Sequence, residues 1–293
     1  MSTFNLILMK TKTRINLMTG CALSLILGAA AVGCTKAEVS GTDAEKSDTD
    51  TDTRIAFSTI SRTAAYSLPG TDTLFEMDHD AVFAAQASLL IPTYVSGSEV
   101  NKLRNAILEE ALGTGNGLDP QRDLDNYIKA TVDSLGYPSP ELVPDTVNVS
   151  DADGVLMLSG TVAGMSPRLL SYAVTTYFYP VHAANGSTDL GYVNYDFTSG
   201  KVLRLSDIFT EEGLKALPAV IAGQAKKTCP DAEITALPSR GSYYVDYEGR
   251  IVFVYQQGEV CYRAAGAVTA SFYPQELSQY MTPEGRDALL TSF

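Results

Sequence analysis

The chain has 293 residues with 34 acidic and 21 basic side chains, a formal net charge of −13, and only two histidines and four cysteines. A surface with this much negative charge repels nucleic acid and anionic lipid, which argues against a nucleic-acid-binding function. Zinc sites use three or four nitrogen, sulfur or oxygen ligands, and two distant histidines do not supply them, so no metal or other cofactor is expected.

The first 33 residues have the pattern of a bacterial lipoprotein signal peptide. Three basic residues precede an uncharged run at 22–32, which is shorter than the roughly 20 apolar residues of a membrane span. Small residues at 31–33 then lead to Cys34, and this order resembles the lipobox, in which the cysteine thiol carries the lipid. We therefore expect residues 1–33 to be removed and Cys34 to be lipidated, with palmitate among its acyl chains. An ordinary signal peptide with an accidental cysteine is the alternative.

Residues 34–53 are predicted to form a disordered acidic tether, because they contain almost no large apolar residue that could be buried. Thr35 follows the cysteine, where an aspartate would favour retention in the inner membrane, so we expect an outer-membrane protein that faces the periplasm or the cell surface. After residue 33 the chain keeps 18 basic and 34 acidic residues, a net charge of −16. This excess attracts a cationic partner or a divalent ion, or it serves solubility alone.

Two cysteines remain in the folded part of the chain, Cys229 and Cys261. Disulfides persist in the oxidising compartments of the cell envelope, so we predict a bridge between them. A pair of buried free thiols is the alternative. A Cys-x-x-Cys pair is absent from the sequence, which argues against thioredoxin-like redox chemistry.

The N-terminal half of the folded part has strand patterns followed by helix patterns. β-Branched and aromatic residues at 54–67 and 81–95 predict two strands. Apolar residues then recur every three or four positions from 100 to 111, and a second helix begins at Asp119 with Pro120 at its first position. Both helices are expected to cover a β-sheet.

The C-terminal half contains mostly strand patterns with helices inserted between them. The predicted strands and hairpin lie at 155–163, 169–179, 192–197, 243–255 and 266–273. Along 169–179 side chains alternate, so that Leu170 and Tyr172 share one face of a strand and Tyr177 and Tyr179 the other. Together these patterns predict the α+β class, with antiparallel β-sheets, two helices in the N-terminal half and further helices between the later strands.

Three tyrosines and a histidine form the candidate ligand-binding surface. Tyr177, Tyr179 and Tyr192 are predicted to share one sheet face, with His182 at its rim. Exposed tyrosines on a rigid sheet make good binding anchors. The alternative is that the two N-terminal helices cover this face.

The stretch YVNYDFTSGKVLRLSDIF, residues 192–209, combines aromatic residues with aspartate and glycine. Asp196 and Gly200 are residue types typical of turns, and Asp207 is typical of a helix cap. We interpret the stretch as scaffold rather than as an active-site segment.

Four stretches of the C-terminal half occur in the order found in a known family: SYAVTTYFYPVHAANG, NYDFTSGKVLRLSDIF, YYVDYEGRIVFVYQQGEVCYRAAGAVTASFYPQEL and YMTPEG. In these stretches the chain resembles the domain of unknown function of the RsiV/PdaC-like family of bacterial envelope proteins. Residues 54–110 are similar to the region that precedes this domain in the family. The resemblance implies an N-terminal α+β partner region at 54–165 and an RsiV-like domain at 166–293. Pro180 and Val181 replace two glycines that the family tends to carry.

The resemblance implies a non-enzymatic, lipid-anchored envelope protein that binds lysozyme-like or other cell-wall-active proteins. The acidic charge suits a cationic partner. No catalytic set can be identified, because a Gly-x-Ser-x-Gly motif is absent and the histidines are only two. A hydrolase that uses a pair of carboxylates on peptidoglycan or another glycan is the alternative.

Overall fold

A computed structural model describes the folded part of the chain. The described residues are 55–70, 80–96, 99–113, 117–143 and 149–291. The predicted signal peptide, Cys34 and the predicted tether lie outside these ranges. Within them, every helix falls short of the length and hydropathy that crossing a membrane requires.

Ten strands and six α-helices form in the described ranges. The strands are β1 (Ile55–Leu68), β2 (Ala81–Val95), β3 (Glu141–Val143), β4 (Gly154–Met165), β5 (Leu169–Tyr179), β6 (Ser187–Asp196), β7 (Lys201–Val202), β8 (Tyr243–Val245), β9 (Ile251–Tyr255) and β10 (Val268–Phe272). The helices are α1 (Val100–Leu112), α2 (Pro120–Ser134), α3 (Leu205–Ile208), α4 (Glu211–Ala225), α5 (Pro274–Leu277) and α6 (Pro283–Leu290).

The strands form two sheets, which confirms the predicted α+β class. Seven strands lie in the order β3-β1-β2-β4-β5-β6-β7, and β8, β9 and β10 form a smaller antiparallel sheet. Local signals explain much of this arrangement. Asp119 caps α2 by accepting a hydrogen bond from the N–H of Arg122 (3.1 Å), with Pro120 in the first turn, as predicted.

One pairing differs from the antiparallel pattern predicted for the sheets, because β2 and β4 run parallel. A parallel pair needs a long crossover, and here α1, α2 and β3 lie between the two strands. Asp153 fixes the start of β4 beside β2. The N–H of Val82 donates to Asp153 Oδ2 (2.8 Å), and the N–H of Asp153 donates to the carbonyl oxygen of Val82 (2.9 Å).

Two apolar clusters stabilise the fold. The first lies between α1, α2 and one face of the large sheet, where Leu103 and Ile107 pack with Tyr172 and Tyr195 of β5 and β6. The second includes residues of α4 and the small sheet, such as Phe253. Both helices predicted to cover a sheet therefore do so. They cover the face that carries Tyr172, so the alternative that they cover the opposite face, which carries Tyr192, does not hold.

The small sheet, rather than the helices, packs on the opposite face of β5 and β6 through its edge strand β8. Asn194 Nδ2 donates to the carbonyl oxygen of Tyr243 (2.8 Å), and the N–H of Val245 donates to Ser171 Oγ (2.9 Å). The Ser171 hydroxyl also donates to Asn194 Oδ1 (2.6 Å). These four residues are all buried. The side chains of Ser171 and Asn194 thus supply the hydrogen bonds that a neighbouring strand would make to β8.

We expect Asn194→Ala to lower the free energy of unfolding by about 2–3 kcal/mol, since it leaves the buried Tyr243 carbonyl and Ser171 hydroxyl without Asn194. Urea denaturation measures this change. Asn101→Ala, on the exposed side of α1, serves as the control and should change stability by less than about 0.5 kcal/mol. Equal effects of the two substitutions would show that Asn194 does not join the two sheets.

Candidate functional site

A cavity of about 710 Å³ lies where β7 ends, at the outer edge of β6. It is bordered by α1, by β6, by the segment from β7 into α3 and by the segment that leads into β8. Its polar lining residues include Glu109, Glu110, Tyr192, Arg204, Ser206 and Arg240. Both halves of the folded chain thus contribute to one cavity, whose volume lies within the range of small-ligand sites.

Arg240 links the two halves beside this cavity. Its guanidinium donates hydrogen bonds to Glu110 Oε1 of α1 (2.8 Å) and to Asp189 Oδ2 of β6 (2.8 Å). Arg240 has a φ of 61°, in the left-handed region that non-glycine residues rarely occupy. Such conformations are enriched at functional sites, where the surrounding structure holds them.

Burial raises the pKa of the Glu110 carboxyl, and the nearby carboxylates of Asp189 and Glu109 raise it further, whereas Arg240 lowers it. Two carboxylates, those of Glu110 and Asp189, therefore share one guanidinium, and the Glu109 carboxylate lies close enough to act on Glu110. Gly191 makes the approach of Glu110 to β6 possible, because a Cβ at this position would lie 2.1 Å from Glu110 Oε1.

Tyr192 lies on the face of β6 opposite to that of Gly191 and Glu110. There its ring stacks on the ring of Tyr244 with 5.0 Å between their centroids. Burial raises the pKa of the Tyr192 hydroxyl, and Tyr244 raises it further. A neutral, stacked tyrosine cannot act as a base near neutral pH, so its contribution here is shape and hydrogen bonding.

The outer edge of β6 is closed on both sides of Tyr192. The side-chain amide of Gln256 accepts from the N–H of Leu190 (3.0 Å) and donates to its carbonyl oxygen (2.7 Å). Further along, the N–H of Leu203 donates to the carbonyl oxygen of Asn194 (2.7 Å). Tyr192, between these two positions, borders the cavity.

Comparison with known proteins gives no matching family model and no curated protein of similar sequence. Among solved structures, a DUF3298 family member from Bacteroides fragilis superposes with a TM-score of 0.62 at 15% identity, over 82% of this chain and 98% of that chain. The chain has the fold of that DUF3298 protein. A DUF3298 family protein from Pseudomonas aeruginosa gives a TM-score of 0.47 at 14% identity, over 80% of this chain and 98% of that one. The predicted resemblance to a bacterial domain of unknown function is therefore confirmed at the level of the fold.

Within the DUF3298 fold, the predicted tyrosine and histidine residues fall into two places. Only Tyr192 borders the cavity. The Tyr179 hydroxyl donates to the carbonyl oxygen of Ala183 (2.8 Å), and the Tyr177 ring lies against Gly186, so both support the β5–β6 loop. His182 lies in that loop with a φ of 64°. The loop is shorter than expected from the sequence, because β6 begins at Ser187.

The turn and cap roles predicted for Asp196, Gly200 and Asp207 within residues 192–209 are confirmed. Asp196 Oδ1 accepts from the N–H of Thr198 (2.9 Å), and Gly200 closes the turn with a φ of 65°. Asp207 Oδ2 accepts from the N–H of Arg204 (2.7 Å) at the start of α3. The predicted disulfide between Cys229 and Cys261 is present as well.

Sequence patterns do not indicate the charged residues of the cavity. Glu110 lies on a helix that is predicted only as a cover, and Arg240 lies in the loop segment Pro-Ser-Arg-Gly. The one local signal is Arg240 followed by Gly241, since glycine favours tight turns. Among the described residues, no group of three or more His, Cys, Asp or Glu side chains has an arrangement that could hold a metal ion.

Proposed function

We propose that this chain is a non-catalytic, lipid-anchored binding protein of the cell envelope whose partner is a cationic protein such as a lysozyme. The observation that supports this proposal is a group of three carboxylates at one side of the cavity. Glu110 and Asp189 share the guanidinium of Arg240, and the Glu109 carboxylate lies close enough to raise the pKa of Glu110. Arg240 holds Glu110 and Asp189, whereas Glu109 is exposed on the surface of α1. A cationic side chain of a partner can therefore contact Glu109 and the exposed part of Asp189.

The charge of the whole folded part supports the same class of partner. Twenty-eight acidic and sixteen basic residues follow residue 53, a net charge of −12 that does not depend on the acidic tether. Complementary potentials speed the encounter of two proteins and suppress partners of the wrong charge. The interaction should therefore weaken as salt increases, because salt screens charges on exposed surfaces.

Anchoring at Cys34 fits this role. A tether of 20 residues, 34–53, reaches at most roughly 70 Å when fully extended. The folded part would then search for its partner within that distance of the membrane. Mass spectrometry of the mature protein tests this part of the proposal, because a lipidated Cys34 adds the mass of its acyl chains to the first peptide.

We expect calorimetric titration of the protein with a lysozyme to show binding at low salt. Glu109→Gln combined with Asp189→Asn should raise the dissociation constant about tenfold, which corresponds to a loss of about 1.4 kcal/mol in binding free energy. Asp231→Asn combined with Glu233→Gln is the matched control, because both carboxylates are exposed and lie outside the cavity lining. This control removes the same charge and should change binding much less.

Three results would contradict the proposal. No heat at low salt would exclude a lysozyme as the partner. Equal weakening by the two double variants would show that only the total charge matters. Equal binding of an unrelated protein with the same positive charge would show that the site is not specific for lysozyme-like proteins.

A further inference from the structure

The outer edge of β6 has one open position between two closed ones. Leu190 is hydrogen-bonded by the Gln256 side chain, and Asn194 by the backbone of Leu203. In an antiparallel strand, alternate residues direct their N–H and C=O groups to the same side. The N–H and C=O of Tyr192 therefore point to the side of these two neighbours, away from β5 and toward the cavity that Tyr192 borders.

An open position of this kind is a natural place for a ligand. Backbone N–H and C=O groups require hydrogen-bond partners, and a strand edge is a template for another extended chain. The described part of the chain gives Tyr192 no bond of the kind that Leu190 and Asn194 receive. β7, which would have continued along this edge, ends at Val202.

Arg204 is the second feature of the cavity that favours a ligand. It is exposed, it lies two residues after the end of β7, and it borders the same cavity. Its guanidinium makes no salt bridge to any described residue, whereas the guanidinium of Arg240 makes two. A guanidinium binds a carboxylate with paired, charge-assisted hydrogen bonds. Arg204 therefore offers the cavity a positive group that the rest of the described fold does not use.

We propose that this cavity binds the C-terminal end of a peptide. The last peptide groups of the ligand add to the edge of β6 at Tyr192, and its terminal carboxylate pairs with Arg204. Addition of a strand to a sheet edge and capture of a terminal carboxylate are both established modes of peptide recognition. This site goes beyond the proposed partner binding, because it uses Tyr192 and Arg204 and does not depend on the carboxylates around Arg240.

The closed positions set the length of the ligand. Leu190 and Asn194 are four positions apart, which corresponds to about 13 Å of strand. Gln256 at one end and Leu203 at the other leave room along the edge for two or three extended residues. A chain end fits this gap, whereas a long strand that passes along the edge would meet the Gln256 side chain or Leu203.

The probe is a mixed pool of N-acetylated tripeptides with free carboxylates, compared with the same pool in C-terminally amidated form. Binding to the isotope-labelled protein is followed by NMR through the backbone amide signal of Tyr192. We expect the free-acid pool to shift this signal and the amidated pool to bind at least tenfold more weakly. Non-specific electrostatics predicts the reverse order, because the protein is acidic and repels an added carboxylate.

Arg204→Gln should weaken binding of the free-acid pool about tenfold and leave binding of the amidated pool unchanged. Arg122→Gln is the control, since Arg122 is exposed on α2 and does not border the cavity. Both substitutions are on the surface, so both proteins should retain the wild-type NMR spectrum away from the substituted residue.

The proposal is overturned if neither pool shifts the Tyr192 signal. It is also overturned if both pools bind equally, because Arg204 would then have no role. N-Acetylglucosamine is the third probe, because its acetamido group presents the same N–H and C=O without a carboxylate. A stronger shift of Tyr192 by this sugar than by the peptides would assign the site to a glycan instead.

Discussion

Arg168→Met is expected to lower the free energy of unfolding by about 3–5 kcal/mol, the range for breaking a buried ion pair by removing one partner. Arg168 precedes β5, and its Nε and Nη2 donate to the two carboxylate oxygens of Asp196 at 3.2 and 3.3 Å. Asp196 is only 2% exposed, so its charge would remain buried without the guanidinium. Arg168 Nη1 also donates to Asp287 Oδ2 of α6 at 2.7 Å, and this bond ties the C-terminal helix to the large sheet.

Urea denaturation of two further variants separates this effect from a general loss of charge. Adding Asp196→Asn to Arg168→Met should recover part of the lost stability, because it removes the uncompensated charge. Arg250→Met breaks the more exposed pair with Asp246 and should cost much less stability than Arg168→Met. If Arg168→Met and Arg250→Met cost the same, burial of Asp196 does not decide the effect.

Replacing both Cys229 and Cys261 by alanine is expected to cost roughly 3–4 kcal/mol in the chain-entropy model, given a sequence separation of 32 residues. The bridge joins the segment after α4 to the segment after β9, so without it the unfolded chain gains conformational freedom. Thermal unfolding measures the loss as a lower Tm.

Reduction of the wild-type protein provides the control for the alanine variant. A reductant should lower the Tm of the wild type by a similar amount and leave the Tm of the double variant unchanged. A variant as stable as the oxidised wild type would show that the packing around these positions, rather than the covalent link, stabilises the segment.

Local sequence signals were sufficient to predict most single elements of the fold. The bounds of β2 and β5 agree with the predicted strands at 81–95 and 169–179, because alternation and flanking turn residues define them. The cap at Asp119 and the turn at Gly200 also depend only on neighbouring residues. The face that carries Tyr172 is buried as expected, since alternation assigned it to one side of a strand.

Contacts between distant segments could not be predicted in this way. The bond from Arg240 to Glu110 joins residues 130 positions apart, and the bond from Asn194 to Tyr243 joins residues 49 positions apart. Both depend on which face the small sheet covers, and no short pattern encodes that choice. For the same reason the cavity could not be predicted, and Tyr192 was grouped with Tyr177 and Tyr179, although these lie four and six residues along β5 from Ala173, the residue paired with Tyr192.

The parallel pairing of β2 with β4 has a consequence for how quickly the chain reaches its native state. Val82 and Asp153 are 71 residues apart in the sequence, and the entropy of closing so long a loop must be overcome before their contacts form. Strands β1 and β2 are near in sequence and can pair early. The other edge of β2 stays unpaired until the intervening helices have assembled and β4 arrives. During this interval a long apolar strand edge is exposed, and folding factors that shield such edges should therefore raise the yield of the protein.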